Sequence, residues 1–319
     1  MIRKPFALIA SALLVASVAA CSSSSPTPTA TTPGVPDKVT AGVIAIVDVA
    51  PIYLGKQKGI FANHNIDLTL AQAQGGAAIV PAVLSKQYQF GFSNVVSLLL
   101  ARSQNAPLRV VANGNNSTGS PTADFGGLVV KDPNIKSPKD LAGKKVATNT
   151  LKNIVDTSVK TIVAKDGGDP TKVSFVELAF PDMAGALDKG NVDAIFVVEP
   201  FLSAAKAKGW RTIGTYADVD PNLCVALYFT STDLIASNPD LVKRFTDAMK
   251  ESLAYAQSQP DEARAILTTY TSINADATKA LVLPKWPTDI DKNAISHLGD
   301  LAVTYGLLTS KPDLTTLLP

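Results

Sequence analysis

The sequence predicts an α/β protein of two lobes. Each lobe is a mixed, mostly parallel sheet flanked by helices, and two hinge strands join them. Three observations lead there. Short β-branched runs alternate with helical patterns through the first two-thirds of the chain. Those runs form two groups, separated by crossings near 125–131 and 223–230. Beyond the second crossing the pattern turns helical and stays so to the C-terminus.

In the first group, Val43-Ile44-Ala45-Ile46-Val47 reads as a strand covered on both faces. Residues 51–59 read as a helix, with Pro51 in its first turn and Gly59 past its end. Ile66-Asp67-Leu68-Thr69-Leu70 alternates like a second strand. Gly75-Gly76 leads into a helix through Ala82-Val83-Leu84. Gln89-Phe90-Gly91-Phe92 is a short strand, and Ser93 is placed to cap a helix over 95–101. Residues 108–112 form another strand, and Asn115 and Asn116 read as a polar loop after it.

In the second group, Leu128-Val129-Val130 opens the unit. Ser137-Pro138-Lys139-Asp140-Leu141 supplies an N-cap, a first-turn proline and a first-turn acid. Lys145-Val146-Ala147-Thr148 is a strand, and 153–165 is a helix that stops at Gly167-Gly168. Residues 173–178 form a strand, 182–189 a helix ending at Gly190, and 193–198 a buried strand. After a strand at 225–229, Asn238-Pro239 starts a helix. Its Leu241, Phe245, Met249 and Ser252/Leu253 recur at helical spacing. Gln259-Pro260-Asp261-Glu262 starts the next.

The N-terminus carries a separate signal. Arg3 and Lys4 precede an apolar stretch over 6–15, too short for a bilayer core that needs about 20 residues. Small residues then lead into Cys21, the three-part layout of a cleaved secretory segment. Val18-Ala19-Ala20-Cys21 resembles the lipobox of bacterial lipoproteins. That resemblance implies lipidation of Cys21 and a domain tethered outside the cytoplasmic membrane. An ordinary secretory segment with a chance cysteine is the plainer alternative. Residues 22–34 are Ser, Thr, Pro, Ala and one Gly, without charge or large apolar groups, which suits an extended linker. The expected division is signal 1–20, linker 21–36, lobe 1 over 37–126 and 228–319, and lobe 2 over 127–227.

Composition narrows the function. Hydrophobic residues make up 46% of the chain, enough for a large core. Without Arg3 and Lys4, the 29 Lys and Arg fall to 27, matching 27 Asp and Glu. That balance argues against nucleic acid as a partner. Cys224 is the only cysteine besides Cys21, so no disulfide is expected if Cys21 is acylated.

Four segments, in order, carry a family resemblance. They are Pro51-Ile52-Tyr53-Leu54-Gly55-Lys56-Gln57-Lys58-Gly59-Ile60-Phe61; Gly75-Gly76 with Ala82-Val83-Leu84-Ser85 and Phe90-Gly91; Asp140-Leu141-Ala142-Gly143-Lys144-Lys145-Val146-Ala147; and Asp182-Met183 through Val192-Asp193-Ala194 to Glu199-Pro200-Phe201. Together they resemble the nitrate/sulfonate/taurine-type substrate-binding proteins of ABC transporters, related to thiamine-precursor-binding proteins. The resemblance covers about 39–260. It implies a periplasmic-binding-protein type II fold that closes on a small solute and delivers it to a membrane permease. It also implies a monomer without cofactor.

Ligands of open α/β sheets bind outside the carboxyl ends of the strands. Candidate contacts therefore begin with Asp48, Val49, Ala50 and Pro51, which are otherwise an ordinary strand–helix turn. Gly75 and Gly76 allow close backbone approach or simply make a turn. Ser93 and Asn94 sit at the next junction, Ser93 with capping as its plain role. In lobe 2, Asn149, Thr150 and Asn153 follow a strand where sulfonate- and nitrate-type relatives carry a Gly-Ser-Thr-like anion cradle. This chain lacks that cradle, which moves the expected ligand towards a polar organic solute. Glu199 ends an apolar run and needs either a ligand N–H or a structural donor. Phe201 and Phe125 offer aromatic faces for a ligand or for core packing.

Other chemistry finds little support. His64 and His297 lie far apart without ligand-rich flanks, so no metal site is expected. Gly91-Phe92-Ser93-Asn94-Val95 approaches a nucleophile elbow but lacks its second glycine, and only His297 follows as a base. A hydrolase using Ser93 is thus the rival from another class. A neighbouring pyrimidine-synthase family carries a Cys-rich motif that is missing here. A ligand sensor for a membrane receptor reads the same as a transport protein at this level.

Overall fold

The computed structural model describes residues 34–319. The expected signal segment, Cys21 and the linker up to residue 33 lie outside the described residues. Among the described residues, ten strands form two five-stranded sheets. They are β1 (Asp37–Val43), β2 (Ile66–Gln72), β3 (Phe90–Asn94), β4 (Leu108–Asn116), β5 (Gly126–Val130), β6 (Lys145–Thr148), β7 (Ser174–Glu177), β8 (Ala194–Val198), β9 (Arg211–Thr215) and β10 (Cys224–Ser231).

The first sheet runs β2-β1-β3-β10-β4 and the second β7-β6-β8-β5-β9. The two orders share one logic. β1 pairs parallel with β2 and β3, as β6 does with β7 and β8. In each sheet the antiparallel member is the strand that enters from the other lobe: β10 against β3 and β4, β5 against β8 and β9. This is the two-lobed periplasmic-binding fold. β10 lies whole within the first sheet, so the chain has re-entered lobe 1 by Cys224.

Two segments cross between the lobes, 117–125 and 216–223. They pair where Ser117 N donates to Leu223 O at 2.9 Å. The buried Asp124 carboxylate fixes them further. It accepts from Ser117 Oγ at 2.7 Å, Thr118 N at 3.0 Å, Phe125 N at 2.9 Å and Ala217 N at 2.8 Å.

Most elements fall where the sequence pattern predicts them. The helix Ala50–Gln57 has Pro51 in its first turn. Ser137 and Asp140 form a reciprocal capping box on a short 3-10 turn, Pro138–Leu141. The amphipathic helix Pro239–Ser258 is capped by the Asn238 side chain and buries Leu241, Phe245, Met249 and Leu253. Its Phe245 ring stacks on Phe90 at 3.6 Å and lies 5.7 Å from Phe61, at the centre of the lobe-1 core.

Three readings are corrected. The first strand is 37–43, not 43–47. Ile44 to Val47 run past its end, where Val47 N bonds to Glu199 O of the other lobe at 3.0 Å. Both the facing lobe and the lobe-1 tail meet this segment, through Glu199 O on Val47 N and the Tyr270 hydroxyl on Ile46 O, and a continuous apolar run cannot distinguish such cover from that of a strand's flanking helices. Ser93 is not a cap: it belongs to β3, and Asn94 caps the helix Val95–Ser103 by accepting from Ser97 N at 2.9 Å. Asn115 and Asn116 are not loop residues but end β4 against β10. The pattern also passes over the helix Phe201–Ala207 and the edge strand β9, whose Arg and Gly weaken the strand signal.

Two outcomes follow from this packing. Phe245→Ala should cost about 3–5 kcal/mol, read as a lower urea midpoint with unchanged slope. Asp124→Ala strips an acceptor from four donors on both crossings. It should lower stability by more than the roughly 1 kcal/mol of an ordinary hydrogen bond, and a loss within error in thermal unfolding would refute that role.

Candidate functional site

The carboxyl ends of β1, β3, β6 and β8 meet across the gap between the sheets. Between them lies a narrow cavity of about 30 Å³. That is roughly the share of one water molecule in the liquid, so the two walls approach each other closely here. Lobe 1 contributes Asp48, Phe92 and Asn94, lobe 2 contributes Asn149 and Phe180, and the second crossing contributes Tyr216. The rest of the wall is aliphatic.

Asp48 sits in a 3-10 turn between β1 and the helix Ala50–Gln57 and is 2% exposed. Its Oδ1 accepts from Asn115 Nδ2 at 3.0 Å, while its Oδ2 is buried without a partner. The turn itself is held from behind. Trp286 Nε1 donates to Asp48 O at 3.2 Å, and the Tyr270 hydroxyl to Ile46 O at 3.0 Å. Burial pushes the Asp48 carboxyl up to about 7. Hydrogen bonds from its own backbone and from Asn115 offset part of this, and the nearby Asp124 adds to it. Val49, Ala50 and Pro51 are buried behind Asp48 and do not line the cavity.

On the opposite wall Asn153 organises the loop after β6. It caps the helix Ile154–Lys165, accepting from Val155 N at 2.8 Å and Asp156 N at 3.4 Å. Its Nδ2 donates to Asn149 Oδ1 and Thr150 Oγ1, both at 2.9 Å. Asp156 accepts from Lys152 N at 2.7 Å, and burial raises its carboxyl to about 6. Gly75 of lobe 1 meets this loop: a side chain there would begin 2.7 Å from Thr150 Cγ2 and 3.1 Å from Asn149 Nδ2. Gly76 packs in the same way onto Ser93.

Glu199 is engaged within the protein. Oε1 accepts from Ser203 Oγ at 2.8 Å and Val282 N at 3.4 Å, and Oε2 from Ser203 N at 2.9 Å. Burial raises its carboxyl, and the Ser203 bonds work against that. Phe201 stacks on Phe180 at 5.8 Å, and it is Phe180 that reaches the cavity. Phe125 packs against Tyr216 in the core. Ser93 Oγ donates to Asn94 O at 3.4 Å. Among the described residues no histidine hydrogen-bonds to it; His64 pairs with Glu251 at 3.0 Å and His297 is exposed.

The structure therefore brings Asp48, Asn94 and Asn149 to one cavity, with Gly75 and Thr150 at its edge. Sequence reasoning missed Phe92, Phe180 and Tyr216. Phe92 stands beside Ser93 at a strand end, a usable signal. Phe180 and Tyr216 carry none, since only the closing of one lobe on the other brings them in.

The family model NMT1/THI5-like matches residues 46–263. The taurine-binding periplasmic protein of Escherichia coli K12 is 27% identical over 191 residues, 58% of this chain and 56% of that protein. The 4-amino-5-hydroxymethyl-2-methylpyrimidine phosphate synthase of Aspergillus parasiticus is 23% identical over 229 residues, 66% of this chain and 64% of that one. In both, the match spans less than two thirds of the relative's length. Among solved structures, the periplasmic nitrate-binding protein NrtA of Synechocystis PCC 6803 superposes with a TM-score of 0.77 at 15% identity. That alignment covers 90% of this chain and 87% of NrtA.

A carboxyl raised from 3.8 to about 7 keeps its proton when folded at pH values where the unfolded chain has lost it. Folded stability should therefore fall as pH rises from about 4 to 7. Asp48→Asn should flatten the largest single part of that slope in denaturant titrations, leaving the parts due to Asp156 and Glu199. A slope unchanged by the substitution would refute the assignment.

Proposed function

Because the chain belongs to the NMT1/THI5-like family, we propose that it captures a small polar organic solute between its lobes and releases it unaltered. The observation that carries this reading is a cavity built from the strand ends of both lobes, beside which Gly75 abuts Asn149 and Thr150. A solute held there requires the lobes to part and re-close, a hinge motion about the two crossings. Ser93 without a base supports binding rather than turnover, although one relative is named as a synthase.

The same reading extends to context. The protein is a monomer that serves an ABC permease from outside the cytoplasmic membrane. The lipobox-like run supports a lipid anchor at Cys21. In the full chain expressed in a bacterial host, Cys21→Ala should move the protein from the membrane to the soluble fraction. Persistence at the membrane would remove the anchor from the account.

Closure has its own check. Gly75→Leu places bulk against Asn149 and Thr150 and should hold the lobes apart. Scattering should show a larger radius of gyration. Affinity for any solute found by thermal-shift screening should drop on the order of tenfold, the equivalent of about 1.4 kcal/mol. A solute at 100 times its dissociation constant adds about 2.7 kcal/mol of stability, so such a screen is sensitive enough. Recovery of a chemically changed compound would replace this reading with an enzymatic one.

A further inference from the structure

We propose that the cleft selects a cationic solute, an amine or amidine whose N–H groups dock on the Asp48 carboxylate, and that it discriminates against anions. This rests on the solute-binding reading above and specifies its substrate class.

The first argument is the charge of the wall. Among the described residues, Asp48 is the only ionisable acid or base lining the cavity apart from the Tyr216 phenol, and no Lys, Arg or His lines it. Where Asp48 is ionised, above about pH 7, an anion placed there would meet a carboxylate and no counter-charge. The second is the unused acceptor. Asp48 Oδ2 is buried without a hydrogen-bond partner, whereas Oδ1 is already engaged by Asn115. A buried acceptor without a donor is costly, and a ligand N–H removes that cost.

The third concerns the donors an anion would need. Helix N-termini ordinarily supply free amides for that purpose. Of the helices that begin at the cavity, those after Asn94 and Asn153 spend first-turn amides on their own caps, whereas Phe180–Asp188 starts without a side-chain cap and carries Pro181, which has no amide N–H, in its first turn. Asn94 takes Ser97 N, and Asn153 takes Val155 N and Asp156 N. The buried Asp156 carboxylate takes Lys152 N, in the loop where an anion cradle would lie. What remains is neutral: the uncapped start of the helix Phe180–Asp188, the Asn149 amide, whose oxygen is held by Asn153, and the Tyr216 hydroxyl. The Phe92, Phe180 and Tyr216 rings complete a wall suited to a cation with an apolar or planar body.

The groups facing Asp48 set a pH dependence. They are Asn115 and Asp124, with the phenols of Tyr216, Tyr228 and Tyr270. None is cationic. The Asp48 carboxyl, raised to about 7 by burial, is largely protonated at pH 6 and largely ionised at pH 8. Cation binding should therefore strengthen about tenfold over that interval and release a proton at the acid end.

Two isosteric series test this on the full chain purified in detergent: acetamidine, acetamide and acetate, then benzamidine, benzamide and benzoate. Each series varies charge at nearly constant shape, and both amidines stay cationic between pH 6 and 8. Calorimetry and scattering are read together. Support is binding of at least one amidine with compaction, at least tenfold tighter than its amide and carboxylate, and tightening with pH. Asp48→Asn, checked for fold by circular dichroism, should lose both the preference and the pH dependence. Binding of a carboxylate or amide as tight as that of the amidine, or an amidine affinity unmoved by Asp48→Asn or by pH, overturns the charge selection and leaves solute capture standing. Absence of binding and compaction with all six compounds overturns the proposal for both sizes of cation. Solute capture itself then falls only if the broader thermal-shift screen is silent too.

Discussion

The structure depends on one buried carboxylate at the junction of the lobes. Asp124 accepts hydrogen bonds from Ser117 and Thr118 on one side and from Ala217 on the other. A single side chain thus ties both crossing segments together. A carboxylate saturated by donors is stable in a dry interior where an unpaired one is not. The bonds are short-range, so the crossings stay registered with each other whatever the lobes do beyond them. The second crossing also carries Tyr216 into the cavity, which couples the joint to the site.

Asp48 is the contrasting case. It lies close enough for Asp124 to disfavour its ionised form, and it has one engaged oxygen and one idle. Two acids near one joint differ in their bonding: the first is saturated and ties the crossings together, and the second keeps one oxygen unengaged. The backbone of the Asp48 turn is braced by Trp286 and Tyr270, both from the C-terminal helical region that returns behind lobe 1. That tail is therefore part of the site's support and not only a cover for the sheet. Glu199 makes a third use of a buried acid, linking the lobe-2 strand end to Val282 of the tail and, through its carbonyl, to Val47.

Much of the fold was legible because local rules and global packing agree. Pro51, the Ser137 and Asp140 capping box, Asn238-Pro239 and the apolar face of Pro239–Ser258 each mark an element that the structure contains. The failures share a cause. Ile44 to Val47 look like a strand because they are apolar, but they run past the strand end to meet Glu199 of the other lobe and Tyr270 of the tail. Asn115 looks like a loop residue because it is polar, but Asp48 meets its amide inside the sheet. Polarity and burial are read from sequence under the assumption that neighbours are near in the chain, and at an inter-lobe cleft they are not.

By itself the sequence determined the two-sheet plan, the positions of most helices and the strand ends at which a ligand would be met. Alternation, capping residues and glycines act over a few residues and are written locally. The tertiary structure decided which of those strand-end residues face one another. It placed Asp48, Asn94 and Asn149 on one cavity and turned Glu199 inward to Ser203. It also supplied Phe180 and Tyr216 from segments with no local signature. The physical reason is that the site exists only where two separately folded sheets close. Its polarity is therefore a property of the contact between them and not of either sequence stretch alone.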